Sequence, residues 1–185
     1  MDVVRHVFTI KLECMKARQI ITLLLLLSII GLLSWQISEK AGQKAQRAKE
    51  RAQLPDFTLS TLGGENLNTN LIVGKDQSIF IFFDPDCSIC AYEAENAHRY
   101  VEKYAKTTSV VWVGAGRRSK VEKFAKKYRL DTLAKHFVLI DSSGQFAKKF
   151  GVRGVPEILI YNHKGDLVKQ FHGETTWEGM LKYLD

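Results

Sequence analysis

Two cysteines, Cys87 and Cys90, are separated by two residues in a C-x-x-C arrangement. They follow an apolar run, and a segment of helical pattern begins at Ser88, so the pair is predicted at the start of a helix. Unpaired N–H groups and the helix dipole at such a start favour a thiolate, which is the form of cysteine that attacks a disulfide. We therefore expect Cys87 to be the nucleophile. Cys90, one turn further along, is expected to resolve the mixed disulfide that this attack creates.

Inert core thiols and half of a zinc site are the alternative interpretations of this cysteine pair. Zinc normally needs four protein ligands, or three and a water molecule. The sequence has no second C-x-x-C, and His98 lies too far along the same helix to share an ion with both thiols. We therefore predict no metal site and no cofactor other than the redox-active disulfide Cys87–Cys90.

Glu93 is the second candidate for a chemical role. It lies three positions after Cys90, a spacing at which two helical side chains approach each other. It shares a helical stripe with Ala97 and Tyr104, so its carboxyl group is expected to be partly desolvated, which would raise its pKa. Such a group could move protons to or from Cys90. The alternative is an ordinary exposed Glu on the helix surface.

The dipeptide Val155–Pro156 stands directly before a predicted strand. A proline at this place indicates a sharp entry into the sheet and suggests a cis bond. A cis bond would present the backbone of Val155 to an extended peptide substrate. An ordinary trans proline at the start of a strand is the alternative.

The elements around these residues alternate between apolar β-prone runs and amphipathic segments. This order predicts parallel strands joined by right-handed helical crossovers, followed by an antiparallel hairpin and a last helix. The predicted fold is α/β, with a central mixed sheet and helices on both faces. The predicted strands are 78–83, 110–113, 137–140, 157–161 and 166–171, and the predicted helices are 88–106, 117–129, 145–150 and 175–184.

Residues 20–37 form an apolar run without a charged residue, which is long enough for a transmembrane helix. We predict a short N-terminal segment (1–19), this membrane anchor (20–37), a helical stalk or linker (38–54) and one folded domain (55–185). A cleaved secretory signal, a lipoprotein signal and a buried soluble helix are the alternatives. We expect the N-terminus inside and the domain on the extracytoplasmic side, periplasmic or extracellular, as in a signal anchor.

The net charge of +7 belongs mainly to the N-terminal third. Residues 1–54 carry 9 Lys and Arg against 4 Asp and Glu, whereas residues 55–185 carry 18 against 16. The high pI is therefore no sign of nucleic-acid binding by the folded domain. A basic helix at 117–129 is interpreted as a solvated surface, with partner docking or contact with acidic lipids as the alternatives.

The C-S-I-C sequence, the downstream V-P and the final hairpin and helix together resemble thioredoxin over residues 55–185. The apolar N-terminal run, the D-F-T-L opening and the Glu93 position resemble the membrane-anchored bacterial TlpA/ResA branch. This resemblance implies that Cys87 attacks, Cys90 resolves, Glu93 is an acid/base group and Pro156 is cis. It implies protein thiols or disulfides as substrates, a membrane protein as electron donor, and a role outside the cytoplasm in disulfide reduction, often in cytochrome c maturation.

Asp86 departs from this family pattern, since Trp commonly precedes the first cysteine there. Its negative charge is expected to oppose formation of the Cys87 thiolate. Two competing functions are a peroxiredoxin-like thiol peroxidase and a non-enzymatic metallochaperone or docking module. The loop before Cys87 lacks the Thr that the peroxidase would need.

Overall fold

The computed structural model describes residues 2–73 and 76–184. Met1 and Asp185, the outermost residues of the predicted segments, lie outside the described residues. The chain divides into two compact units, Met1–Gln46 and Arg47–Asp185. The second unit includes the last residues of the predicted linker.

The first unit is helical and belongs to α1, which spans Asp2–Ala52. Within the described residues, one stretch, Ile21–Ala52, is long and apolar enough to cross a membrane, with an 18-residue window of mean hydropathy 2.0 that is not buried. A signal sequence near the N-terminus has the same properties. The described helix is therefore compatible with an anchor or a signal.

The second unit contains one sheet of seven described strands in the order β2-β1-β5-β4-β3-β6-β7. The central strands β3, β4 and β5 are parallel, whereas β1 and β6 pair antiparallel to the two sides of this core. The strands are β1 (Thr58–Thr61), β2 (Asn66–Asn68), β3 (Gln77–Phe83), β4 (Thr108–Ala115), β5 (His136–Asp141), β6 (Glu157–Tyr161) and β7 (Leu167–His172). The helices are α2 (Thr69–Val73), α3 (Ser88–Tyr104), α4 (Arg118–Lys127), α5 (Gln145–Phe150) and α6 (Trp177–Leu181).

The continuous apolar run of β3 is explained by burial of both faces of the sheet. Ile79, Ile81 and Phe83 pack into one apolar cluster with residues of α3, α4 and α6. Phe80 and Phe82 point into a second cluster, which contains residues of α5. These two clusters confirm the predicted mixed sheet with helices on both faces. A strand that is buried on both faces has no polar residue at every second position, which explains the continuous apolar run.

The observed elements depart from the predicted ones mainly at polar ends and in short pieces. β4 begins at Thr108, before the apolar run at Val110, because buried polar residues continue the pairing with β3. The predicted helix 117–129 ends at Lys127, since Arg129 adopts a left-handed conformation (φ 50°) and starts a 3₁₀ turn, Leu130–Thr132. β2 and α2 are too short to leave a clear periodic signal.

The last residues of α1 and the segment after it belong to the second unit and bond within it. The Arg51 guanidinium donates to the Phe150 carbonyl at 3.0 Å, and the Tyr161 hydroxyl donates to the Arg51 carbonyl at 3.1 Å. The Leu54 N–H donates to Gly165 O at 2.7 Å. These bonds fix the point at which the chain enters the folded unit.

A neutral histidine, His136, lies inside the core at the start of β5. Its Nδ1 accepts a hydrogen bond from the Trp112 indole N–H at 3.0 Å, so the neutral ring carries its hydrogen on Nε2, 2.7 Å from the Tyr104 hydroxyl. Burial lowers the pKa of His136 to about 3, with a smaller contribution from His98. The imidazole is therefore kept uncharged at neutral pH.

This burial predicts acid destabilisation through His136. Because the pKa falls from 6.5 in the unfolded chain to about 3 in the fold, the stabilisation is complete above about pH 6.5 and decreases as the pH falls towards 3, by roughly 1.4 kcal/mol per pH unit. Urea unfolding of the full chain in detergent, compared with His136→Asn at several pH values, measures this slope. A variant with the same dependence as the parent between pH 3 and 6.5 would contradict the assignment.

Candidate active site

The active-site candidate is built at the junction between β3 and α3. Asp84, Pro85 and Asp86 form the turn, in which the Asp84 side chain accepts from Asp86 N–H at 2.8 Å. The Asp84 carbonyl accepts from the Cys87 N–H at 3.0 Å. Cys87 has extended backbone angles (φ −85°, ψ 122°) and is the N-cap of α3, so its sulfur stands at the positive end of a 17-residue helix.

The two sulfurs differ in environment. Cys87 is half-buried and its Sγ accepts the Cys90 backbone N–H at 3.3 Å, whereas Cys90 is fully buried. Burial raises the pKa of the Cys90 thiol, and the neighbouring Cys87 side chain adds to the rise. Both residues are free thiols here. Solvent therefore reaches the predicted nucleophile, while the predicted resolving thiol is kept protonated inside the fold.

The Val155–Pro156 peptide bond is cis, as the sequence suggested. It lies beside the cysteines, since the Cys87 thiol is 3.9 Å from the Val155 carbonyl oxygen. Pro156 is buried, and its carbonyl accepts the Gly173 N–H at 2.8 Å, which ties this loop to the end of β7. Two segments 68 residues apart in the chain are thus brought to one place.

Glu93 is fully buried on α3, so the alternative of an exposed surface Glu is wrong. Its Oε1 accepts the Thr175 N–H at 3.3 Å, and its backbone carbonyl accepts the Trp177 indole N–H at 2.9 Å. Its Oε2 is buried and accepts no hydrogen bond from the described residues. Burial raises the pKa of Glu93 to about 7; the Thr175 hydrogen bond opposes this rise and the Glu174 charge adds to it. The segment before α6 therefore provides the desolvation that the sequence could only suggest.

Lys120 is a residue of the site that the sequence did not single out. It forms an ion pair with Asp86, the residue that precedes Cys87. Its ammonium group offsets the negative charge that was expected to oppose the Cys87 thiolate, although both side chains are largely exposed and the pair is weak. Lys120 lies on α4, so a linear pattern around the C-x-x-C could not have found it.

Glu157, directly after Pro156, is a second residue that the sequence did not single out. Its side chain is buried, its Oε2 is 2.8 Å from His172 Nδ1, and its Oε1 accepts from the Gln170 amide. Glu157 and His172 are register partners across β6 and β7, which explains why they meet. A carboxylate in an otherwise apolar strand was the signal available in the sequence.

A metal site would need several donor side chains grouped around one point. Among the described residues, no three His, Cys, Asp or Glu side chains are placed to hold an ion.

A mixed sheet, a C-x-x-C pair at a strand–helix junction and an adjacent cis proline define a thioredoxin-like protein. The comparisons with known proteins agree, since the Redoxin family model matches residues 49–184. The chain belongs to the Redoxin family.

Relatives extend this assignment. The thioredoxin-like protein YneN of Bacillus subtilis (strain 168) is 29% identical over 164 residues, covering 88% of this chain and 94% of its own. The thiol-disulfide oxidoreductase ResA of Bacillus thuringiensis subsp. konkukian is 24% identical over 172 residues, covering 91% and 96%. The solved structure of MTB DsbF, in mixed oxidised and reduced forms, has the same fold with a TM-score of 0.62 at 19% identity, covering 72% and 94%. The chain is thus a thioredoxin-like thiol-disulfide oxidoreductase of the TlpA/ResA type.

Proposed function

We propose that the chain exchanges electrons with protein disulfides through Cys87 and Cys90, and that reduction of the substrate is the net direction. The proposal rests on one observation: a half-exposed sulfur at a helix N-terminus next to a fully buried one. That asymmetry suits an attacking thiol and a resolving thiol.

The proposed reaction has two exchange steps. The Cys87 thiolate attacks one substrate sulfur, a new S–S bond forms, and the substrate disulfide breaks with release of the other sulfur as a thiolate. Cys90 then loses its proton and attacks the Cys87 sulfur, so the second substrate sulfur leaves. Two electrons pass to the substrate, and the chain is left with a Cys87–Cys90 disulfide.

Glu93 is proposed to accept the Cys90 proton in the second step. The support is its position on α3, three residues after Cys90, and its burial, which raises the pKa of the carboxyl to about 7. A carboxyl group with such a pKa exchanges protons readily near neutral pH. Its Oε1 accepts the Thr175 N–H, whereas its Oε2 accepts no hydrogen bond from the described residues and is therefore the oxygen proposed to take the proton.

Val155 and Pro156 are proposed to hold the substrate backbone. The Val155 carbonyl is already within 3.9 Å of the Cys87 sulfur, so an extended peptide that pairs with Val155 would bring its own disulfide to the nucleophile.

We further propose that α1 tethers the domain (about residues 55–185) to a membrane through residues 20–37, on the extracytoplasmic side, and that a membrane protein re-reduces the cysteines. The apolar window within Ile21–Ala52 and the ResA relatives support this. Cytochrome c maturation is the process that the TlpA/ResA resemblance suggests.

Insulin reduction tests the central proposal. With dithiothreitol as reductant, the full chain in detergent is expected to accelerate cleavage of the insulin interchain disulfides, which is followed as turbidity. Cys87→Ser is expected to reduce the rate to that of dithiothreitol alone, because the serine hydroxyl is a far weaker nucleophile than a thiolate. Acceleration that survives Cys87→Ser would contradict the proposal.

A further inference from the structure

Three lysines of α4, Lys120, Lys123 and Lys127, line one concavity of about 190 Å³. The same concavity is also lined by Pro85 and Asp86, the two residues that precede Cys87 in the chain. We call this surface the lysine groove. The groove therefore borders the turn that leads into Cys87.

Positive charge is concentrated at this place. Residues 55–185 carry 18 Lys and Arg against 16 Asp and Glu; seven of those cations and one of those acids fall within 117–129, which leaves 11 and 15 for the rest of the domain. Residues 117–129 therefore carry a net charge of +6, whereas the rest of the domain carries a net charge of −4. A charge separation of this kind orients and attracts a partner of opposite sign.

The basic side chains of this region differ in whether they already have a hydrogen-bond or ion-pair partner. Arg118 is exposed, but its guanidinium already donates to the carbonyls of Thr61 and Leu62. Lys120 is paired with Asp86. Lys123 and Lys127 are exposed, and neither forms an ion pair within 4.0 Å in the described part of the chain.

Lys127 stands over the ring of Tyr128, with its ammonium 4.8 Å from the ring centroid. The Tyr128 side chain raises the pKa of Lys127, and Glu95 adds a smaller contribution. Lys123 has no comparable neighbour among the described contacts. An incoming carboxylate therefore finds two ammonium groups that no short ion pair occupies.

We propose that the lysine groove is a docking surface for an acidic segment that flanks the disulfide of the protein substrate. This inference rests on the proposed function and adds the substrate's charge to it. A protein segment is favoured over a lipid surface because the groove is concave and is lined by Pro85 and Asp86, which lead directly into Cys87, the residue that the substrate disulfide must reach.

The test uses peptides with one cysteine blocked as a 2-thiopyridyl disulfide. One peptide carries Asp and Glu around the cysteine, and its matched partner carries Asn and Gln at the same positions. The reduced full chain in detergent attacks the disulfide, and pyridine-2-thione is released and measured by absorbance. The quantity compared is the ratio of the second-order rate constants, acidic over neutral.

We expect this ratio to be roughly tenfold at low ionic strength and to approach one in high salt. Lys123→Glu with Lys127→Glu should bring the ratio to one or below. The matched control is Lys106→Glu with Lys164→Glu, which makes the same charge change after the end of α3 and in the β6–β7 turn, and should keep the ratio.

The outcomes separate the two proposals. A ratio near one in the unmodified chain, or the same ratio in both double variants, would overturn the docking surface while Cys87-dependent release persisted. A further outcome would also overturn the docking surface, by assigning the lysine groove to lipid. In that outcome Lys123→Glu with Lys127→Glu keeps the peptide ratio of the unmodified chain, but in reconstituted vesicles it loses the dependence of its activity on anionic phosphatidylglycerol. Release that is independent of Cys87 would refute the proposed function itself.

Discussion

Replacing Cys90 with Ser is expected to turn the chain into a trap for its substrates. Cys87 keeps its place at the helix N-terminus and can still attack a disulfide, but the buried thiol that would complete the exchange is gone. When the reduced chain meets insulin without dithiothreitol, the mixed disulfide between Cys87 and the substrate should then accumulate. Non-reducing electrophoresis and intact-mass measurement detect the adduct. Addition of dithiothreitol should then reduce its disulfide and release the substrate.

Cys87→Ser is the matched control for this trap. It retains the buried Cys90, whose pKa is raised by burial, so it should form no adduct with the same substrate. Adducts that formed through Cys90 as readily as through Cys87 would reverse the assigned order of the two sulfurs. Equal trapping by the unmodified chain would show that Cys90 does not resolve the intermediate.

The features that the sequence predicted well are those whose cause is local. A run of apolar β-prone residues followed by C-x-x-C defines both a strand buried on two faces and the helix start behind it, so Cys87 and Cys90 fall on the right element. The dipeptide Val155–Pro156 likewise lies at the strand entry that its own chemistry favours. These residues needed no knowledge of distant contacts.

The features that the sequence left open depend on segments far away in the chain. The burial of Glu93 depends on Thr175 and Trp177, about eighty residues later, so an exposed Glu was an equally reasonable alternative. The pairing of Asp86 with Lys120 requires α4 to pack beside the β3–α3 turn. The meeting of Glu157 and His172 depends on strand register, which hairpin length alone does not define.

Replacing Glu93 with Gln is expected to change the pH dependence of stability more than any other substitution considered for this site. Burial raises the pKa of Glu93 from 4.5 to about 7. The stabilisation from the protonated carboxyl is complete below about pH 4.5 and is lost as the pH rises through 7. Gln keeps an oxygen for the Thr175 N–H and does not titrate, so its stability relative to the unmodified chain should improve by about 3 kcal/mol between pH 4 and pH 8.

His136 makes the comparison with a variant necessary. Between about pH 4.5 and 6.5 the neutral His136 makes the fold more stable as the pH rises, whereas Glu93 makes it less stable, by a similar amount per pH unit. The unmodified chain should therefore have a nearly flat stability in that range, and urea unfolding of this chain alone would reveal neither group. The Glu93→Gln curve should instead rise with pH there, and the His136→Asn curve should fall. If both variant stability curves remained parallel to that of the unmodified chain, both burial assignments would be contradicted. A separate measurement tests the proton transfer: if the insulin-reduction rate of Glu93→Gln had the same pH profile as that of the unmodified chain, Glu93 would have no role in it.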